Sequence, residues 1–312
     1  MITKRLMSSV SSVAIVVAGA QQASADAHSA LSGYTLNVQG GISAVDNIWD
    51  DKTGSGFLSD KVGSEDNLTS YMGSLTLSRE TSPNKDMAFG LSFGVSPQDN
   101  SFKISSGFSS GFSGSGVLTI AGRDSNSYAA LDFEMGTTVP MGTADMRWFY
   151  GARALASKSN FSYDIEVDKA GSGSGGSLEV EAESVFVGVG PRVGIGFATQ
   201  PAPGSQFGFS GELGAAVLFG SRKDTLTLTT HSGFSLGSGG SSFSSFSERK
   251  NVASLDAQIG VDYYLSDNAT ISAGYQLQQL WNVDLASDED NDASDDRSRL
   301  IHGVFVGFTT QF

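Results

Sequence analysis

Alternation constrains this chain more than any other feature, and it is plainest at the carboxy end. Leu300 to Phe312 reads L-I-H-G-V-F-V-G-F-T-T-Q-F. Val304, Val306, Phe308, Thr310 and Phe312 form one row. Gly303, Phe305, Gly307, Thr309 and Gln311 form the other. A period of two means a strand with two unlike faces. The first row is apolar apart from Thr310; the second is small and polar apart from Phe305. A soluble protein seldom leaves an apolar terminal strand exposed, because a bare edge invites pairing with another chain. In a membrane β-barrel one row meets lipid and the other meets the lumen. The alternative is a buried edge strand of a soluble sandwich, and the rest of the chain weighs against it.

About ten such segments follow one another. They are 34–44, 70–79, 87–96, 128–137, 145–156, 185–197, 207–220, 253–263, 271–283 and the terminal strand. Met87 to Ser96 alternates most cleanly, with Met87, Phe89, Leu91, Phe93 and Val95 set against Ala88, Gly90, Ser92, Gly94 and Ser96. Most of them have the roughly 9–11 residues that a tilted strand needs to cross a bilayer. Short connections at 80–86, 139–144, 198–206 and 265–268 alternate with long ones. That sorting is the mark of periplasmic turns and extracellular loops. The expected fold is therefore all-β: a transmembrane up-and-down antiparallel barrel of about ten strands. Pro191 cannot donate to a ladder, so a bulge or local break is expected there.

Charge tests the facing independently. Asp132, Glu134, Arg147, Arg153, Arg192, Glu212, Asp256 and Asp262 all fall on the row opposite the apolar one, which makes them lumen-lining candidates. A mid-depth Arg on the lipid side costs roughly 2–4 kcal/mol. If the connection after the sixth strand centres on residue 202, Arg192 faces Glu212 directly. A turn at Pro140–Met141 pairs Glu134 with Arg147 in the same way. Opposite charges across a ladder attract. They either neutralise a tight lumen or line a pore. Phe149, Leu155, Phe186, Leu280 and Phe305 break the alternation by pointing inward, and they are expected to fill a narrow lumen.

Residues 1–25 read as a secretory signal: Lys4 and Arg5, an apolar core from Val10 to Ala20, and the small-residue site Ala23-Ser24-Ala25. The core is too short to span a bilayer as a helix. Residues 26–312 then make one barrel domain, delivered to a bacterial outer membrane. The chain has no cysteine, so an exported fold must hold together without disulfides. Its formal charge is −14, and losing Lys4 and Arg5 makes it more negative. That balance argues against nucleic acid or an anionic lipid surface as a partner. The expected partners are outer-membrane lipid and lipopolysaccharide, the barrel-assembly machinery that reads the terminal Phe312, and small solutes or ions.

No catalytic set, cofactor site or metal site emerges. The histidines are His28, His231 and His302. His231 stands beside Ser232 in a loop, and His302 is on the lipid row near the outer rim. Asp288, Asp290 and Asp292 have the spacing that opens a calcium loop. Ala293 and Arg299 replace its glycine and glutamate, so a solvated acidic loop is expected. The tracts 105–116, 170–177 and 232–247 are rich in Ser and Gly, a composition that predicts flexible loops.

The blocks FVGVGPRVGIG (Phe186 to Gly196), FGFSGELGAAVLFG (Phe207 to Gly220), YQLQQLWNV (Tyr275 to Val283) and HGVFVGFTTQF resemble the pore-forming outer-membrane protein family typified by the Legionella major outer membrane protein. Asn282 stands where family members often carry a second aromatic beside Trp281. The resemblance covers the chain from about Ser127 onward. It implies a porin-like barrel and brings no catalytic residues with it. The expected function is passive diffusion of ions or small solutes through a narrow polar lumen. The alternative is a structural or adhesive barrel whose surface loops bind a partner.

Overall fold

The computed structural model describes residues 33–47, 68–96, 100–110, 114–169, 176–201, 204–231, 241–284 and 297–312. The expected signal, His28, Ser232 and the acidic run with Asp288 lie outside these residues.

Eleven strands form one antiparallel sheet. They are β1 (Tyr34–Asn47), β2 (Leu68–Ser82), β3 (Lys85–Val95), β4 (Asn100–Ser110), β5 (Gly114–Met141), β6 (Ala144–Lys169), β7 (Gly176–Thr199), β8 (Phe207–Thr230), β9 (Ser241–Ser266), β10 (Ala269–Asp284) and β11 (Arg297–Gln311). Each strand pairs with its sequence neighbour, except where β3 and β4 share β5. β3 takes residues 127–137 of β5, and β4 takes 114–124. Together they make one interrupted stave. β11 pairs with β1 from Thr35↔Gln311 to Asn47↔Arg299. Ten staves thus close into a ring. Above the ring β4, and β9 before Ala253, are paired on one side only among the described residues.

The turn end is tight. Pro83-Asn84 joins β2 to β3, with Asn84 at φ 63°. Gly142-Thr143 joins β5 to β6, with Gly142 at φ 70°, a left-handed conformation that Gly adopts without strain. Strands therefore run further into the turns than periodicity suggested; Asp86 belongs to β3. The other end is uneven. β5 to β9 have 24 to 28 residues, against 11 to 16 for β1, β2, β3, β10 and β11. Half of the wall therefore rises well beyond the membrane.

That height corrects the loop assignment. Residues 105–110 and 241–247, expected to be flexible, are strand, because β5 and β8 supply a ladder to each. The tract 232–240 lies outside the described residues. His231 donates its backbone N–H to the Ser177 carbonyl at 2.9 Å, so it continues the β7–β8 ladder instead of hanging in a loop.

At Pro191 the β7–β8 ladder skips Gly190 and Pro191, then resumes in unchanged register: Val189↔Phe219 and Arg192↔Ala216 both hold. The expected break is present, without an added residue. A register shift falls instead in β10 between Leu280 and Asp284, where Asn282 has φ 66°.

Facing follows the alternation. Outward Trp148, Tyr150, Leu131, Val189, Val193 and Ile259 each expose more than half their surface, while inward Phe149, Leu155, Phe186, Leu280 and Phe305 are buried. With one apolar row turned outward all round, the wall suits lipid.

Candidate functional site: the layered lumen

The inward row of β8 gives the order of layers. From the turn end it reads Ser210, Glu212, Gly214, Ala216, Leu218, Gly220, Arg222 and Asp224. It passes from polar to charged, then small and apolar, then charged again. β5, β6 and β9 likewise pass from charged residues (Glu134 and Asp132, Arg153, Asp256) to small or apolar ones (Ala130, Leu155, Val252), whereas the inward rows of β1 and β10 bring polar, uncharged side chains to the vestibule.

At the turn end lies a polar vestibule of about 640 Å³. Asn37, Gln39, Thr76 and Gln276 line its wall, and Lys85 and Thr138 stand near its mouth. Asp262 is at this level, buried, and accepts a hydrogen bond of 2.5 Å from Ser272 Oγ. It takes no part in the ionic cluster deeper in.

The cluster is built on three arginines. Arg192 is buried and reaches Glu134 at 2.9 Å, Asp256 at 2.5 Å and Glu212 at 3.2 Å. Arg153 holds Asp132 at 2.7 Å and Asp256 at 2.6 Å. Arg147 holds Asp86 at 2.7 Å and Glu134 at 3.0 Å. β6 and β9 are not neighbours, so the Arg153–Asp256 contact must cross the lumen. Arg192 reaches Asp256 over Gly214 of β8, the strand between β7 and β9. Seven of the eight lumen candidates thus meet in one network, and Asp86 joins as the member that the assumed turn concealed. Five carboxylates face three guanidinium groups, an excess of two negative charges. The Arg147 and Arg192 guanidinium carbons lie 5.0 and 5.2 Å from the ring centre of Phe149. Its inward aromatic face attracts both cations.

The expected cross-strand partners differ from the observed ones. Arg192 stands opposite Ala216, and Glu212 opposite Gly196. Arg147 stands opposite Thr138, and Glu134 opposite Gly151. Both ion pairs exist, but they run diagonally, because long side chains reach where a direct pairing does not. Small residues leave them room. A Cβ on Gly214 would sit 2.6 Å from Asp256 Oδ2 and 2.7 Å from Arg192 Nη1. One on Gly136 would sit 2.5 Å from Arg147 Nε.

Beyond the ionic layer the lumen is closed. Phe186, Leu218, Val252 and Leu280 expose nothing, and Leu155, Ala130 and Ile301 pack among them as one apolar cluster. Tyr128 and Ile301 belong both to this septum and to the vestibule floor. Past the septum comes a second ionic layer. Arg222 holds Asp224 at 2.9 Å and Glu248 at 2.7 Å, and fully buried Arg299 donates to Ser157 Oγ at 3.0 Å across the interior. Sequence reasoning missed these residues because it ended the seventh strand at Gly220 and read Arg299 as part of a loop. Their parity was the available signal: Arg222 and Asp224 share it with Glu212, and Arg299 shares it with Phe305. His302 stays on the outward face, where the Tyr275 hydroxyl contacts its Nδ1.

A closed ring with a fatty outside and an ionic inside defines a class: an outer-membrane β-barrel protein. The match to a family model described as the Legionella pneumophila major outer membrane protein precursor spans residues 109–312, and the chain belongs to that family. No curated protein matches it. Among solved structures it is similar to the outer membrane protease OmpT of Escherichia coli, at 10% identity and TM-score 0.39, covering 89% of this chain and 96% of that one. It is similar also to a major outer membrane protein of Thermus thermophilus, at 11% identity and TM-score 0.33, covering 89% and 99%. A third is the CymD monoaromatic hydrocarbon channel, at 8% identity and TM-score 0.32, covering 90% and 89%.

Proposed function

We propose that the barrel is a narrow outer-membrane channel for ions or small solutes, with a preference for cations. The signal at residues 1–25 is removed on export, and the turn end faces the periplasm. The channel assignment rests on one observation: a polar vestibule ends on an ionic layer with two more carboxylates than arginines. A purely sealed barrel has no use for a polar cavity that ends on an ionic layer. Passage needs the septum side chains to part, so conduction is of low probability and small amplitude. No cofactor and no catalytic step is assigned.

Recordings in planar bilayers test the channel. Small, cation-selective openings are expected, more frequent at high voltage. Silence at every voltage overturns the proposal. The septum itself favours a second reading, a structural or adhesive barrel whose surface loops bind a partner. That reading predicts silence together with loss of surface binding when the tall β5–β9 wall is trimmed.

A further inference from the structure

The outer wall carries a charge pattern that the lumen does not explain. On β8 the outward row is apolar as far as Phe219; it then continues with Ser221 and Lys223. On β9 it is apolar from Tyr263 up to Ala253, and Asn251 and Arg249 follow. Each cation stands two outward steps beyond the end of the continuous apolar row of its strand. Both side chains are exposed, and neither has a carboxylate partner among the described residues. Lys223 pairs with Ser247 and Arg249 with Ser221, so the two are diagonal neighbours on one face. Such neighbours lie about 7–8 Å apart, close enough for both to grip one phosphate.

Two further features fix the level. Trp281, partly exposed on the outward row of β10, pairs with Ala253 and marks the membrane edge as interfacial tryptophans do. On β6 the outward row passes from Ala156 to Lys158, which is tied to Glu183 at 2.8 Å. The outward acids Asp164, Glu166, Asp168, Glu179 and Glu181 all stand further out on β6 and β7. On β6, β8 and β9 the first charge above the apolar band is therefore a cation; on β7 it is Glu183, one outward step beyond the level of Lys158 and Lys223. A chain of formal charge −14 gains nothing from this order in water. Against a layer of lipid phosphates it gains attraction at headgroup depth and avoids repulsion.

We propose that Lys223 and Arg249 form a binding site for the phosphate of a phosphorylated glycolipid in the outer leaflet. Glu183 limits its strength by competing for Lys158 and standing close to Lys223. The assignment does not depend on whether the lumen conducts.

The test uses the whole barrel in detergent micelles doped with diphosphoryl lipid A, with the same lipid dephosphorylated, or with inorganic phosphate alone. Bound lipid is counted by native mass spectrometry. Wild type should retain diphosphoryl lipid A at least tenfold better than the dephosphorylated form. Lys223→Gln with Arg249→Gln should weaken retention roughly thirty-fold, since each surface cation contributes a factor of about five. Glu183→Gln should strengthen it. Heat-modifiable migration on gels reports that each variant is folded. Should the double variant not fold, wild-type retention is titrated with salt, and it must fall as screening rises. Equal retention of the two lipids, an unchanged double variant, or salt-insensitive retention overturns the site. Inorganic phosphate binding as tightly as the lipid makes it a free-anion site and overturns the lipid assignment.

Discussion

The inner ionic layer and the septum beyond it occupy the same tube, use the same alternate positions and lie only a few residues apart on each strand. Their contents are opposite. The ionic layer needs long charged side chains and glycines to seat them. The septum uses Phe186, Leu218, Val252 and Leu280 and admits no solvent. The difference teaches that facing alone does not decide permeability in a ring this narrow. At ten strands the interior is close to the width that side chains can fill, so residue size at each depth decides whether water stays.

Truncating the septum breaks the comparison most severely. Phe186→Ala with Leu218→Ala should remove about 3–5 kcal/mol for the aromatic alone, read by urea unfolding in micelles. It should also join the vestibule to the outer side, raising single-channel conductance several-fold. Stability lost without any gain in conductance would show that the second ionic layer also seals the tube.

Arg192→Met comes next. It leaves Glu134, Glu212 and Asp256 short of a cation, and removing one partner of a buried pair costs about 3–5 kcal/mol. An unchanged unfolding midpoint would mean that water enters the layer and screens it. Gly214→Val forces a branched side chain onto Asp256 and Arg192, and a loss of about 1–3 kcal/mol is expected. Tolerance of that change would show the network to be looser than its contacts imply.

Glu212→Gln should be mild. Glu212 has a single contact of 3.2 Å and a side chain that is 31% exposed, so the stability change should stay within about 1 kcal/mol. Cation preference, measured as reversal potential across a salt gradient, should fall. Smallest of all, Phe243→Ser on the tall wall should change stability by less than about 0.5 kcal/mol, because Phe243 is 70% exposed and far from both layers.

Much of the candidate site was legible in the alternation. The row that holds Val187, Val189 and Val193 excludes Arg192, and the same parity rule put Asp132, Arg153 and Asp256 on the inner side. Register was not legible. Placing the centre of the sixth connection near residue 202 set Arg192 against Glu212, whereas the ladder sets it against Ala216. Two residues of uncertainty in a turn become four in a pairing, because both arms move. Strand length was equally hidden. Ser241 to Ser247 has the composition of a linker, yet it is strand because β8 offers it a ladder.

The sequence by itself determined which side chains meet lipid and which meet the interior, since that choice needs only a period of two along one strand. It also determined the closing partner of the last strand, because a chain of antiparallel neighbours leaves just β1 and β11 to join. Tertiary structure alone decided that Arg192 gathers carboxylates from three other strands and that Phe186 and Leu280 join one buried apolar cluster. Those contacts join residues far apart in the chain at one depth, and depth depends on register and tilt, which no local pattern encodes.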